Sequence, residues 1–391
     1  MGLGSMTGVS GLLSNRSQID SFIVMDLMAQ AAQLESQGKD IVHMEVGQPG
    51  TPAPKSALLA AENAMKSDKL GYTLALGMEP LRERIAEYYK QKYAVSVSPE
   101  RIIITTGSSA GFILSFLSCF DQGQNVALTR PGYPCYRQIM KTLGITPVDL
   151  PLSSEERWMP TASMLENAIL SEGVKGVILA SPANPTGTML EEERLASLID
   201  VSVRNRSWFI SDEIYHGLTY DADDTTALKF SDDVIVINSF SKYFSMTGWR
   251  VGWMVVPENS IRTFERLAQN MFISVPTISQ FAALGAFDGQ EELEQYKSQY
   301  RKNRELLLNE FPGAGITEIL PADGAFYLYA DVSKYTDNSL EFCNKMLREA
   351  GVAATPGIDF DPVNGKRYVR FSYAGTYADM QKAAQRLGEW L

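Results

Sequence analysis

Apolar residues recur along this chain at two periods, and the alternation between them predicts its elements. From about Ser21 to Gly38, Phe22, Met25, Leu27, Met28, Ala31 and Leu34 follow helical spacing. "DIVHMEVGQPGTP" (40–52) predicts a strand running into a turn, and "LRERIAEYYKQKY" (81–93) an amphipathic helix. Short, nearly continuous apolar runs then alternate with helices. "RIIITTG" precedes "AGFILSFLSCF", "NVALTRPGYP" precedes "CYRQIMKTLG", and "VKGVILASPANPTG" precedes "EEERLASLIDVSVRN". "WFISDEIY" and "VIVI" (234–237) are further strands. Such runs predict a mostly parallel sheet covered by helices on both faces, with ligands outside the carboxyl ends of its strands.

Beyond this α/β region the pattern changes. A charged helix over about 290–310 reads as a connector. "GAFYLYADV", a helix from about Ser339 to Ala350, and "RYVRFSYAG" predict a smaller α+β domain that packs with the N-terminal segment. The expected division is a flexible segment 1–20, a small domain from 21–50 and 295–391, and a large domain 51–294. A length of 391 residues suits two such domains.

Composition narrows the function classes. A formal net charge of -11 with no basic stripe argues against a nucleic-acid partner, and no apolar run approaches a membrane span. Three widely spaced cysteines suggest neither a disulfide framework nor a metal site, so a reducing cytoplasm is expected. The Gly/Ser-rich start lacks the apolar character of a signal peptide, and Met6 stands where a myristoylation signal needs Ser or Thr. The first five residues read as a cloning scar.

Four predicted strand ends carry unusual residues. "TTGSSAG" (105–111) opens an apolar helix, and reads either as a serine N-cap or as a phosphate site at a helix N-terminus. Neither a P-loop nor GxGxxG is present. "SPANPTG" places Asn184 in a Pro-flanked turn, which by itself is turn chemistry. "SDEIY" puts Asp212 after three apolar residues, where a bare carboxylate needs a cationic partner, with Tyr215 three residues on. "NSFSKYFSMTGWRVGW" sets Lys242 among serines and aromatics. Lys242 is either a snorkelling lysine or an amine activated by desolvation, and Ser239, Ser241 and Arg250 can hold a phosphate.

An activated lysine, a buried carboxylate, a tyrosine, an asparagine and a phosphate cradle are together what pyridoxal phosphate requires. Lys242 is then the Schiff-base lysine, Asp212 the partner of the pyridine nitrogen, and Tyr215 and Asn184 the partners of the ring's phenolic oxygen.

The chain resembles the class I aminotransferases, fold type I pyridoxal phosphate enzymes, over nearly its whole length. "VGQPGTP", "GYTLALGMEPLR", "PGYP", "NPTG", "DEIY", "SFSKYFSMTGWRVG", "GAFYLY" and "VRFSYA" carry the likeness. The resemblance implies an aspartate-aminotransferase-like fold. It implies that Tyr133 stacks on the cofactor ring and that Ser108 and Ser109 offer backbone N–H groups to its phosphate. Tyr72 is implied to reach the phosphate in a neighbouring subunit, hence a homodimer with shared sites. Gly47, Tyr133 and Asn184 are implied to meet the substrate, and Arg370 to clamp its α-carboxylate, a task that suits a bidentate guanidinium.

His216 reads as a structural histidine, His43, after apolar Ile41 and Val42, as a packing residue of a strand, and Cys135 as a small core residue. Ser109 stands where some aspartate-using members carry a lysine. With uncharged wall candidates in Tyr133 and "NMFISVP" (270–276), this favours neutral amino donors, with Arg16 the one remote cation in view. Tyr243 departs from the small residue common after the lysine.

The expected activity is ping-pong transfer of an amino group from an L-amino acid to a 2-oxo acid. The alternatives are a β-lyase of the same fold and a non-catalytic ligand-sensing domain. The latter needs a DNA-binding winged helix ahead of the first helix, which is not expected here.

Overall fold

The structure is a computed structural model and describes residues 13–391. The expectations placed on residues 1–12 lie outside the described residues. In chain order the elements are α1 (Ile23–Ser36), β1 (Val42–His43), α2 (Lys55–Ser67), α3 (Glu79–Tyr93), β2 (Ile102–Thr105), α4 (Gly107–Cys119), β3 (Asn125–Arg130), α5 (Pro134–Leu143) and β4 (Thr146–Pro151). There follow α6 (Ala162–Glu172), β5 (Val174–Ala180), α7 (Glu192–Arg204), β6 (Trp208–Asp212), β7 (Ile235–Ser239), β8 (Gly252–Val255), α8 (Ile261–Met271), α9 (Thr277–Ala286) and α10 (Gln290–Glu310). The chain ends in β9 (Glu318–Ile319), β10 (Tyr327–Asp331), α11 (Ser339–Glu349), β11 (Val352–Ala353), β12 (Thr355–Pro356), β13 (Tyr368–Ser372) and α12 (Tyr377–Trp390).

Local chemistry sets many of these limits. Pro134 opens α5, where a missing N–H costs nothing, and Gly144 closes it in the left-handed conformation. The Thr161 and Thr376 hydroxyls accept N–H groups at the starts of α6 and α12.

Seven strands form the main sheet in the order β2-β8-β7-β6-β5-β3-β4. The pairs from β4 to β7 are parallel, while β8 runs antiparallel to both β2 and β7. Because β8 is reversed, its first residue, Gly252, lies beside Ser239 and Thr105, the last residues of β7 and β2. One edge of the sheet therefore collects the ends of β2, β3, β5, β6 and β7 and the residues just before β8.

A second, antiparallel sheet runs β12-β13-β10-β9. In its register Arg370 of β13 lies between Tyr329 and Thr355. The predicted N-terminal strand is only two residues long, and it pairs in parallel with β11. The predicted connector is one unbroken helix, α10, which contains position 295 and packs on α12. Among the described residues no helix is long and apolar enough to cross a membrane.

Candidate active site

The collecting edge and the second sheet enclose a cavity of about 180 Å³. Its lining includes Gly47, Ser108, Ser109, Tyr133, Asn184 and Asp212, and also Tyr215, Ser241, Lys242, Arg250 and Arg370. Residues spread over more than 300 positions thus meet because each ends or follows a strand, precedes β8 or lies on β13.

Lys242 sits three residues past β7, and its Nζ donates to the carbonyl of Gly47. Burial, reinforced by the Arg370 guanidinium and opposed by Asp212, lowers its amine to about 7. Gly47 has no room for a side chain, since a Cβ there would lie 2.2 Å from the Tyr327 hydroxyl.

Asp212 ends β6 and is buried. Among the described residues no side-chain cation forms an ion pair with it, which leaves the expected cationic partner to a bound ligand. Asp212 accepts from the Tyr136 hydroxyl and, at 3.1 Å, from the Ile214 N–H. Those neutral donors only partly offset burial, which raises the carboxyl to about 6. Tyr215 shares a 2.6 Å hydrogen bond with Tyr327, and burial raises its hydroxyl well above the ordinary range.

Arg370 is 2% exposed. It donates to Asn184 Oδ1 at 2.8 Å, to the Glu45 carbonyl at 2.5 Å and to Thr355 Oγ1 at 3.2 Å. Its guanidinium lies over the rings of Tyr327 and Phe360. No carboxylate pairs with it among the described residues, and its Nε has no partner. A buried cation held only by neutral groups is a ready receptor for an anion.

At the start of α4, Gly107 has φ +67, and a Cβ there would lie 2.5 Å from Arg250 Nη2. Arg250 itself takes the left-handed conformation, φ +50, uncommon for a residue with a side chain. Among the described residues its guanidinium bonds only the Thr247 carbonyl, at 3.0 Å. The N–H groups of a first helical turn, a glycine face and a guanidinium without an acidic partner among the described residues have the chemistry that suits an anion.

Two expected ligands stand elsewhere. Ser239 does not line the cavity. Its hydroxyl donates to the Val251 carbonyl at 3.1 Å and its oxygen accepts from the Ser241 N–H at 3.1 Å, with Ser241 Oγ 2.9 Å away, so it fixes the turn that presents Ser241. Tyr72 is 84% exposed and lies outside the cavity.

The expected wall also needs correction. Residues 270–276 do not line this cavity; Phe272 and Val275 face a small cavity beside α4. The apolar wall comes from Phe22, Val24 and Met25, at and just after the start of α1, and from Val46. Phe22 meets Tyr133 edge-on at 6.1 Å. Arg16, in a short exposed turn, is not among the lining residues.

His216 is buried against Tyr93 at 2.8 Å, and burial lowers it to about 4, which suits a structural residue. His43 is no packing residue. Its ring is partly exposed and bridges Glu45 at 2.8 Å and Glu35 at 3.0 Å. Burial raises the Cys135 thiol.

Tyr136 and Tyr327 were missed. Tyr136 falls three residues after Tyr133, the residue that caps α5, and their rings meet edge-on at 5.2 Å, so its place just past the "PGYP" turn points to it. Tyr327 gave no such signal, because β10 is buried along nearly its whole length.

A lowered lysine amine and a buried carboxylate at the edge of a mostly parallel α/β sheet, faced by a buried arginine of the second sheet, are the chemistry of an enzyme of the aminotransferase type. The profile described as aminotransferase class I and II matches residues 39–387, and this chain belongs to that family. It is 44% identical over 380 residues to a valine–pyruvate aminotransferase of Mycobacterium tuberculosis, covering 96% of this chain and 97% of the relative. The crystal structure of an aminotransferase from Mycobacterium tuberculosis superposes with a TM-score of 0.95 at 43% identity, over 97% of this chain and 98% of that one. The aspartate aminotransferase of Thermus thermophilus with maleate matches with a TM-score of 0.91 at 30% identity, over 97% and 99%. The fold is therefore aspartate-aminotransferase-like, and the chain is a transaminase.

Proposed function

We propose that this transaminase moves the amino group of a neutral L-amino acid to a 2-oxo acid, by a ping-pong route on pyridoxal phosphate held by Lys242. The observation that carries this is Lys242 itself, an amine lowered to about 7 in one cavity with Asp212, Arg250 and Arg370.

The residues fit the cofactor. The cradle of Gly107, Ser108, Ser109, Ser241 and Arg250 suits its phosphate, and Asp212, with no cation of its own, suits a pyridine nitrogen. In this reading Tyr133 would stack on the ring, and Tyr215 and Asn184 would meet its phenolic oxygen; their shared place in the cavity lining supports it. When bound, pyridoxal phosphate supplies an aldehyde that condenses with an amine, and a ring that accepts the electron pair released at the substrate's α-carbon.

The chain's own work follows from that reading. Arg370 holds the α-carboxylate, and Asn184 fixes the plane of that guanidinium. Lys242, its amine lowered to about 7, would take the proton from the substrate's α-carbon and hold it for return, the acid–base work of the transfer. Asp212 holds a proton on the ring nitrogen.

Neutral donors are favoured because Phe22, Val24, Met25 and Val46 offer no charge to a second carboxylate. Leaving a carboxylate unpaired there costs several kcal/mol, on the order of a thousandfold in specificity. The valine–pyruvate relative supports the same choice. Segments 21–50 and 295–391 act in this reading as a small domain carrying Arg370 and α1 to the large domain, 51–294. Tyr72 belongs to the phosphate site of a second copy in a homodimer, which its exposure suits. The free thiols suit a cytoplasmic enzyme.

The test is a panel of half-reactions. Cofactor-loaded protein is mixed with valine, alanine or aspartate, and the cofactor absorbance and released oxo acid are followed. Valine or alanine should react far faster than aspartate, with one oxo acid formed per site and no ammonia. Faster reaction with aspartate, or release of ammonia, contradicts the proposal.

A further inference from the structure

Tyr243 follows Lys242 and has no part in the cavity. The two side chains leave the loop in opposite directions. Lys242 reaches the Gly47 carbonyl, while the Tyr243 ring turns away and lies over the face of Gly217. Gly217 has φ +93, and a Cβ there would lie 2.6 Å from Tyr243 Cδ2, so the ring occupies the space that a side chain would need. Gly217 comes two residues after Tyr215. The Tyr243 hydroxyl donates at 2.6 Å to Glu294 Oε1, in the first turns of α10.

A second tie joins the same loop to the same helix. Ser245, left-handed at φ +54, shares a 2.8 Å hydrogen bond with Thr51, whose hydroxyl also meets Tyr300 of α10 at 2.7 Å. Further along α10, Asn303 Nδ2 donates to the carbonyls of Tyr373 and Gly375, at 2.9 and 2.8 Å, just beyond the strand that carries Arg370. One helix thus grips the lysine loop at Glu294 and the arginine strand at Asn303. The two grips are nine residues apart, about 14 Å along a helix.

We propose that Tyr243 and Glu294 are positioning residues for Lys242. They lock its loop to α10, so that α10 sets where the Lys242 amine stands relative to Arg370. The inference rests on the reading that Lys242 carries the cofactor. Tyr243 touches neither substrate nor cofactor; it acts through the backbone of its neighbour. The substrate's carboxylate is still held when the lock is lost, so the lesion falls on turnover and not on substrate affinity.

The experiment compares cofactor-loaded wild type, Tyr243→Phe, Glu294→Ala and Glu294→Gln. Circular dichroism of the cofactor's visible band, without substrate, reports the geometry at Lys242. Tyr243→Phe and Glu294→Ala should each change that amplitude by half or more and lower kcat about tenfold, with KM within twofold. Glu294→Gln, which keeps an acceptor for the hydroxyl, should match wild type in both. An unchanged dichroism in Tyr243→Phe, even with a lowered melting temperature, overturns the proposal, because the residue is then only structural. Glu294→Gln behaving as Glu294→Ala overturns it too. Peptide mapping of borohydride-reduced wild type keeps the two readings apart. An adduct on Lys242 with silent variants defeats this inference alone, whereas an adduct on another lysine defeats the reading beneath it.

Discussion

Asn184 accepts a 2.8 Å hydrogen bond from Arg370, and both are buried. The bond joins the turn after β5 to the middle of β13, so the main sheet and the second sheet meet at the point where a carboxylate would be bound. Asn184 and the Glu45 carbonyl hold the guanidinium without neutralising it, because both are uncharged.

Arg370 should therefore be the main source of affinity for both substrates. A lysine in its place keeps one charge and loses the fork. Losing a charge-assisted pair of hydrogen bonds costs about 2–3 kcal/mol. Arg370→Lys should raise KM for amino acid and oxo acid some 50-fold, while cofactor binding changes little. Steady-state kinetics with cofactor titration checks this, and an unchanged KM would contradict it.

Tyr136 donates its hydroxyl to Asp212. Tyr136→Phe leaves a buried carboxylate oxygen short of a donor, at a cost of about 1–3 kcal/mol. The cofactor-free variant should unfold at lower denaturant concentration than wild type. Bound cofactor should narrow the gap if a protonated ring nitrogen supplies the missing charge. Denaturant titrations with and without cofactor measure both.

His43 predicts a pH dependence of stability. Its hydrogen bond to Glu45, helped by Glu35, raises the ring to about 9. A group whose folded value lies above its unfolded one stabilises fully below the unfolded value, here about 6.5, and loses that effect as pH rises through the folded value. The melting-temperature difference between wild type and His43→Gln should be widest below pH 6.5 and close as pH passes 9. A difference that stays constant over that range removes His43 as its source.

Lys242 works in the opposite sense in the cofactor-free protein. Its folded value, about 7, lies below its ordinary 10.5, so burying the charged amine destabilises the fold below pH 7. That penalty fades as pH rises from 7 to 10.5. Lys242→Met should therefore stabilise cofactor-free protein most at and below pH 7, and not at all above 10.5. Melting curves across that range test the sign.

Much of this was legible in the sequence because parallel-sheet strands announce themselves. Their apolar runs are short and end abruptly, and the residues that follow each run, Asp212, Lys242 and Asn184 among them, reach one edge by topology alone. The antiparallel β8 was not legible. Its orientation depends on pairing with both β2 and β7, which no local pattern encodes, yet it is what brings Arg250 to that edge. Wall residues failed for a similar reason. Phe22 and Met25 read as the apolar face of a helix, and only the packing of the start of α1 against Tyr133 turns them toward the cavity. For Asp212 the need for compensation can be read locally, whereas the protein group that supplies part of it, the hydroxyl of a tyrosine 76 positions away, cannot.

The central claim is that Lys242 carries the cofactor. Cofactor-loaded protein reduced with borohydride, digested and mapped by mass spectrometry tests it most directly. The pyridoxyl mass should fall on the peptide containing Lys242, and Lys242→Ala should give no adduct and no turnover while keeping its fold. An adduct on any other lysine, or turnover by Lys242→Ala, would contradict the claim.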